Sequence, residues 1–157
     1  MTRVLFVCTG NICRSPTAEG VARHLIATAG LGDRVEVDSA GTHGYHVGEA
    51  PDPRTQKAAR LRGYDLSGLR ARKLEVRDFQ EFDLLLAMDR GHLESMRRLC
   101  PPVYQPRLRL FMAFDGSGQF EDEVPDPYYG GPRGFDLVLD MCEHGVRGLL
   151  ETVSVRA

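Results

Sequence analysis

Hydrophobic positions along the chain switch between short unbroken runs and a spacing of three to four. RVLFV at residues 3–7 is such a run, halted by Thr9-Gly10-Asn11, and it reads as a buried strand. From Pro16 the period changes: Ala18, Val21, Ala22, Leu25 and Ala29 share one helical face, with Pro16 suited to the first turn and Gly30 to the stop. A second strand is expected over 35–40, running into Ser39-Ala40-Gly41-Thr42. Asp52-Pro53 has the form of an N-cap and a first-turn proline, opening a helix that ends at Gly63. FDLLLAM at 82–88 is the strongest buried-strand signal, and a helix over 89–99 follows until Pro101-Pro102 breaks it. A short fourth strand is expected at 107–111. After a loop rich in Gly, Pro and aromatics, Phe135, Val138, Cys142, Val146 and Leu149 mark a final amphipathic helix.

Strands alternating with helices imply βαβ units, right-handed crossovers and a mostly parallel sheet covered on both faces. No repeat or linker interrupts the pattern, so residues 1–157 read as a single domain. In such sheets a ligand sits at the carboxyl ends of the strands, near the point where strand order reverses. Composition narrows the picture by exclusion. A net charge of −2 offers no footprint for nucleic acid or a polybasic membrane surface. No apolar run has the length of a membrane span, and the first residues lack the form of a secretory signal. Four cysteines without such a signal point to a reducing compartment, the cytoplasm, and not to a disulfide scaffold.

VCTGNICRSP at residues 7–16 carries the candidate chemistry. A Cys-x5-Arg spacing alone is weak. Here the cysteine closes a strand, the loop holds Gly-Asn, and a helix starts directly after Arg14-Ser15-Pro16. That context builds a strand–loop–helix turn whose backbone N–H groups, from Thr9, Gly10, Asn11, Ile12, Cys13, Arg14 and Ser15, can point inward at an anion beside a helix N-terminus. It is not a Walker loop, because no Gly-Lys-Ser/Thr follows. Phosphoryl transfer to sulfur has matching needs. The thiolate is the nucleophile, and N–H groups, helix dipole and Arg14 all complement negative charge at Cys8. The planar fork of Arg14 can hold two equatorial phosphate oxygens. Gly10 admits close approach, Asn11 tolerates a left-handed backbone, and Ser15 can donate to the sulfur. The bland alternative makes Cys8 a small buried residue and Arg14 a helix-start surface charge. The leaving oxygen also needs a proton donor. Asp126 in VPDPYYGGP is the candidate, with an ordinary turn aspartate as its alternative; Asp52 is sufficiently explained as a cap.

Taken together, CTGNICRSP at 8–16, DSAGT at 38–42, HVGEAPDPR at 46–54, FDLLLAMDR at 82–90 and DPYYG at 126–130 closely resemble low-molecular-weight protein tyrosine phosphatases. The resemblance runs over nearly the whole chain in order. It implies a flavodoxin-like three-layer α/β sandwich, with a four-stranded parallel sheet and helices on both faces. It implies hydrolysis of phosphotyrosine monoesters in two steps, with Cys8 as nucleophile, Arg14 as transition-state clamp and Asp126 as general acid and base. Asn11, Ser15 and Ser39 would brace the loop; Tyr128 and Tyr129 would wall the phenyl slot, with Tyr45 at a pocket-aromatic position. For Ser39 a strand-end turn residue, and for Tyr45 a surface aromatic, remain the alternatives. No metal or organic cofactor is implied. The expected partner is a phosphotyrosine protein or a small aryl phosphate, and the expected state a monomer or weak dimer.

Leu69, in SGLRARKL, occupies a place where the family commonly has a histidine that helps fix the loop asparagine, which predicts a looser loop. Ile12 resembles the tyrosine-specific members; related phosphoarginine phosphatases use threonine there. Cys13 is open to two readings, a reversible disulfide partner for Cys8 or a small buried loop residue. Cys142 falls on a core stripe, and Cys100 has no evident role. His24, His43, His46, His92 and His144 show no metal-ligand spacing with the cysteines. The rival on the same scaffold is a thiol-linked arsenate reductase, which needs a downstream cysteine pair; Cys100 and Cys142 are far apart in sequence. A phosphate-binding module without turnover is a third reading.

Overall fold

The structure, a computed structural model, describes residues 1–129 and 131–156. The strands are β1 (Thr2–Cys8), β2 (Val35–Gly41), β3 (Leu84–Ala87) and β4 (Leu108–Leu110), all parallel, in the order β2-β1-β3-β4. The helices are α1 (Arg14–Thr28), α2 (Pro53–Leu61), α3 (Val76–Glu81), α4 (Arg90–Leu99) and α5 (Pro132–Arg156).

Alternation along β1 divides the interior in two. Val4, Phe6 and Cys8 face a core shared with α1, α2 and α5, where Phe6 meets the edge of Phe111 at 5.4 Å between ring centroids. Such an edge-on pair adds about 1 kcal/mol beyond simple burial. Leu5 and Val7 face a second core with Phe79, Phe82, Leu93 and Met96 from the α3–α4 side. With apolar neighbours above and below, β1 reads as an unbroken apolar run. The result is the flavodoxin-like three-layer arrangement.

The chain leaves β1 for one neighbour, β2, and later returns to the other side of β1 as β3. The reversal therefore lies at the carboxyl end of β1, where residues 8–15 form their loop. Gly41, at the end of β2, is required there: a Cβ would lie 2.7 Å from the carbonyl oxygen of Thr9.

Several boundaries differ from the periodic reading. Helix α1 begins at Arg14, two residues before the proline, since the loop itself winds into the first turn. Phe82 belongs to the end of α3, leaving Leu84–Ala87 as strand. Helix α3 was not anticipated: six residues, mostly polar, carry too little periodicity, although its N-terminal end is fixed by a capping box between Glu75 and Asp78. Among the described residues no helix is long and apolar enough to cross a membrane.

Candidate active site

Cys8 ends β1 at 3% exposure, and its Sγ lies 2.9 Å from the Ser15 hydroxyl. The loop between them curls because Asn11 adopts a left-handed backbone, φ 59°. The Asn11 carboxamide fixes the hydroxyls around it. Its oxygen accepts from the Arg72 backbone N–H at 3.0 Å, so its nitrogen must face Ser15 at 2.8 Å and Ser39 at 2.9 Å. An amide nitrogen only donates, so both serine oxygens accept there and keep their own protons for other partners. Ser39 gives its proton to Glu19 Oε1 at 2.6 Å, and Ser15 is left to donate to the sulfur. Burial raises the Glu19 carboxyl above its ordinary range, against the pull of Ser39 and Arg23.

This network braces Asn11 through Ser15, Ser39 and a backbone N–H, without a histidine at residue 69. Every polar atom of the Asn11 side chain has a partner, one supplied by the backbone of residue 72, while Leu69 packs against the main core. A backbone donor brought in by a strand-like segment is invisible to side-chain pattern reading. Arg72 is itself anchored to Asp78 and Asp38.

Among the described residues, none of the backbone N–H groups of Thr9 to Ser15 donates to another protein atom. Cys13 stands at the helix N-cap position without a capping side chain, which leaves the first amides of α1 without a side-chain partner. The concavity holds a ready set of donors for an anion.

Arg14 is buried, its side chain only 6% exposed. NH1 donates to Asp89 Oδ2 at 2.9 Å and to the Val124 carbonyl at 3.1 Å, and NH2 lies 3.4 Å from His92 Nε2 and 3.9 Å from Asp126 Oδ2. Burial pushes the Asp89 carboxyl up, but the His92 backbone N–H and Arg14 outweigh it and hold it below the ordinary value. Asp126 comes from a segment far along the chain, tied in by Val124, whose N–H donates to the Met88 carbonyl at the end of β3. Its side chain is 43% exposed, and Oδ1 accepts from the Tyr128 backbone N–H at 3.0 Å.

A cleft of about 310 Å³ brings Cys8, Arg14, Asp126, Tyr45 and Tyr128 together, with Ile12 and Cys13 also in its wall. Tyr45 stacks on His43 at 5.1 Å, and Arg54 lies over the Tyr128 ring at 4.9 Å. The side chain of Tyr129 lies outside the described residues. Burial pushes the Cys13 thiol up to about 12, and all four cysteines are free thiols. No group of three or more His, Cys, Asp or Glu placed to hold a metal is found among the described residues.

Sequence reasoning missed Asp89, His46, His92, Glu19 and the Arg72 amide. His46 packs against Gly10, where a Cβ would come within 2.9 Å of its ring. The available signal was positional: Asp89 and His92 directly follow the strongest strand, at the same sheet edge as Cys8.

The sequence profile of the family described as Low molecular weight phosphotyrosine protein phosphatase matches residues 3–156. The chain belongs to this family. A low molecular weight protein-tyrosine-phosphatase of Streptomyces coelicolor is 48% identical over 153 residues, covering 96% of this chain and 93% of that one. A putative low molecular weight protein-tyrosine-phosphatase of Synechocystis is 45% identical over 152 residues, covering 96% of each. Among solved structures, a protein tyrosine phosphatase of Entamoeba histolytica, crystallised with Hepes in its active site, superposes with a TM-score of 0.95. It is 36% identical and covers 99% of both chains. The phosphatase described here thus shares both sequence and fold with the family along nearly its whole length.

Proposed function

We propose that this phosphatase hydrolyses phosphotyrosine monoesters at the cleft over Cys8, and that residues 1–157 act as one domain carrying every group the reaction needs. The observation that carries the reading is the donor chain from Asn11 through Ser15 to the Cys8 sulfur, set at the floor of a cradle of unengaged amides. The Cys8 thiolate attacks phosphorus in line with the phenolic oxygen. As the P–O bond breaks, Asp126 transfers its proton to that oxygen, and the tyrosine leaves neutral. Arg14 and the loop amides hold the equatorial oxygens, where charge is spread in the transition state. The second step reverses the roles: the Asp126 carboxylate takes a proton from water, the water oxygen attacks phosphorus, and the S–P bond breaks. The Ser15 proton, directed at sulfur, eases departure of the thiolate.

The apolar Ile12 in the cleft wall suits a phenyl ring and offers no acceptor to a guanidinium, which favours phosphotyrosine over phosphoarginine. Arsenate reduction is disfavoured by topology. Cys100 lies in the core on the α3–α4 side of the sheet, Cys142 in the core on the opposite side, so no pair stands ready to relay a disulfide. A working Cys8 must be a free thiol, which suits the reducing cytoplasm.

Hydrolysis of p-nitrophenyl phosphate by wild type and Cys8→Ser tests the reading. The variant should lose at least ~10⁴-fold in turnover. Acid-quenched wild type should carry phosphate on Cys8. A Cys8→Ser enzyme that still turned over, or phosphate caught on another residue, would overturn it.

A further inference from the structure

His92, in the first turn of α4, is 4% exposed and touches the loop at two points. Nε2 lies 2.8 Å from the Thr9 hydroxyl and 3.4 Å from Arg14 NH2. A guanidinium only donates, so the imidazole must present a lone pair at Nε2; the Thr9 hydroxyl then donates there, and the ring proton sits on Nδ1. Nδ1 is buried 3.1 Å from Asp89 Oδ1, close in distance though out of line for a hydrogen bond. Asp89 closes the ring: Oδ2 accepts from Arg14 NH1, and Oδ1 accepts from the His92 backbone N–H as the α4 cap. Thr9 is held from its other side by its carbonyl, which accepts from the His43 N–H at 3.0 Å.

We propose that His92 is a positioning residue, a neutral acceptor that sets the plane of the Arg14 guanidinium and the seat of Thr9 for the transition state. Asp89 and the Val124 carbonyl both hold the same terminal nitrogen of Arg14, NH1; the His92 contact, at NH2, holds the other arm of the fork. A cation at Nε2 would abolish the acceptor and oppose Arg14. The surroundings prevent it at working pH: burial and the Arg14 charge, with a smaller push from His43, lower the imidazole pKa from 6.5 to about 4, outweighing Asp89 and Asp126.

The inference rests on Arg14 acting as the clamp, and the test separates the two. Wild type, His92→Phe, His92→Gln, Thr9→Val and Arg14→Lys are compared with p-nitrophenyl phosphate as substrate, and with vanadate, which mimics the five-coordinate transition state, and inorganic phosphate as inhibitors. His92→Phe should lower kcat by about 10- to 100-fold, the worth of a hydrogen bond to a charged group, with KM changed far less. Vanadate affinity should fall by more than phosphate affinity. His92→Gln, which can place an oxygen near Nε2, should recover most of the loss. Should His92→Phe fail to fold, Thr9→Val decides from the loop side, with several-fold lower kcat expected. The proposal is overturned if a folded His92→Phe, or otherwise Thr9→Val, keeps kcat within about twofold. It is equally overturned if vanadate and phosphate weaken by one factor, or if Gln does no better than Phe. Failure of the clamp reading itself would appear separately, as an Arg14→Lys variant that keeps wild-type kcat.

Discussion

The two halves of the site are built in opposite ways. The loop at residues 8–15 is buried and cross-tied: Cys8, Asn11, Arg14 and Ser15 are all at or below 5% exposure, with bonds to β2, residue 72 and α4. The Asp126 segment hangs from Val124, and its carboxyl and Tyr128 stand about half-exposed. The tasks proposed for the two halves account for the contrast. Stabilising charge on an anion works best with dipoles that need no reorganisation, and the cross-ties of the loop hold its donors in place. A group that protonates a departing phenol and then activates water must meet both substrate and solvent, which a sealed interior would prevent.

If that division holds, damage to the cradle should harm every ester alike, and damage to the acid should depend on the leaving group. Arg14→Lys is expected to have the largest effect. An ammonium cannot hold two oxygens at once, and kcat should fall by about 10³-fold for both phenyl phosphate and p-nitrophenyl phosphate. A loss that tracked leaving-group acidity would break the comparison. Asp126→Asn should follow, lowering kcat by about 10²-fold for phenyl phosphate and by clearly less for an ester of a more acidic phenol. Equal losses with both esters would show that the segment does something other than transfer a proton.

The smallest effect concerns stability. Because folding holds the His92 pKa near about 4 against an ordinary 6.5, the unfolded chain takes up that proton first. Folded stability should therefore decline as pH falls from about 6.5 towards 4, by on the order of 3 kcal/mol at most from this group. Arg14, Asp89, Asp126 and His43 face the ring, so the clean measurement is the difference between wild type and His92→Gln in denaturant midpoint across that range. A parallel pH dependence in the two proteins would remove His92 as the buried base of the cradle.

Legibility followed sequence distance. The loop could be read because its members are contiguous and flanked by strong strand and helix patterns. Tyr45 and Ser39 carried bland alternatives in the sequence, and only the fold set one, still 73% exposed, at the cleft and the other beside Asn11. Asp126 could be named as a candidate, but its spacing from Cys8 says nothing about approach. Helix α3 escaped notice because a six-residue polar segment has hardly one turn in which to show a period.

The order of apolar runs and amphipathic stretches determined the parallel sheet, and the eight residues from Cys8 to Ser15 determined the reaction class, since both depend on neighbours in the chain. Tertiary structure alone decided which distant atoms finish the cradle: the Arg72 amide on Asn11, Glu19 behind Ser39, and Asp89 with His92 around Arg14. The reason is geometric. Hydrogen bonds reach only about 3 Å, and contacts between residues some sixty to eighty apart in sequence, such as Asn11 with Arg72 and Arg14 with His92, exist only once the sheet has closed.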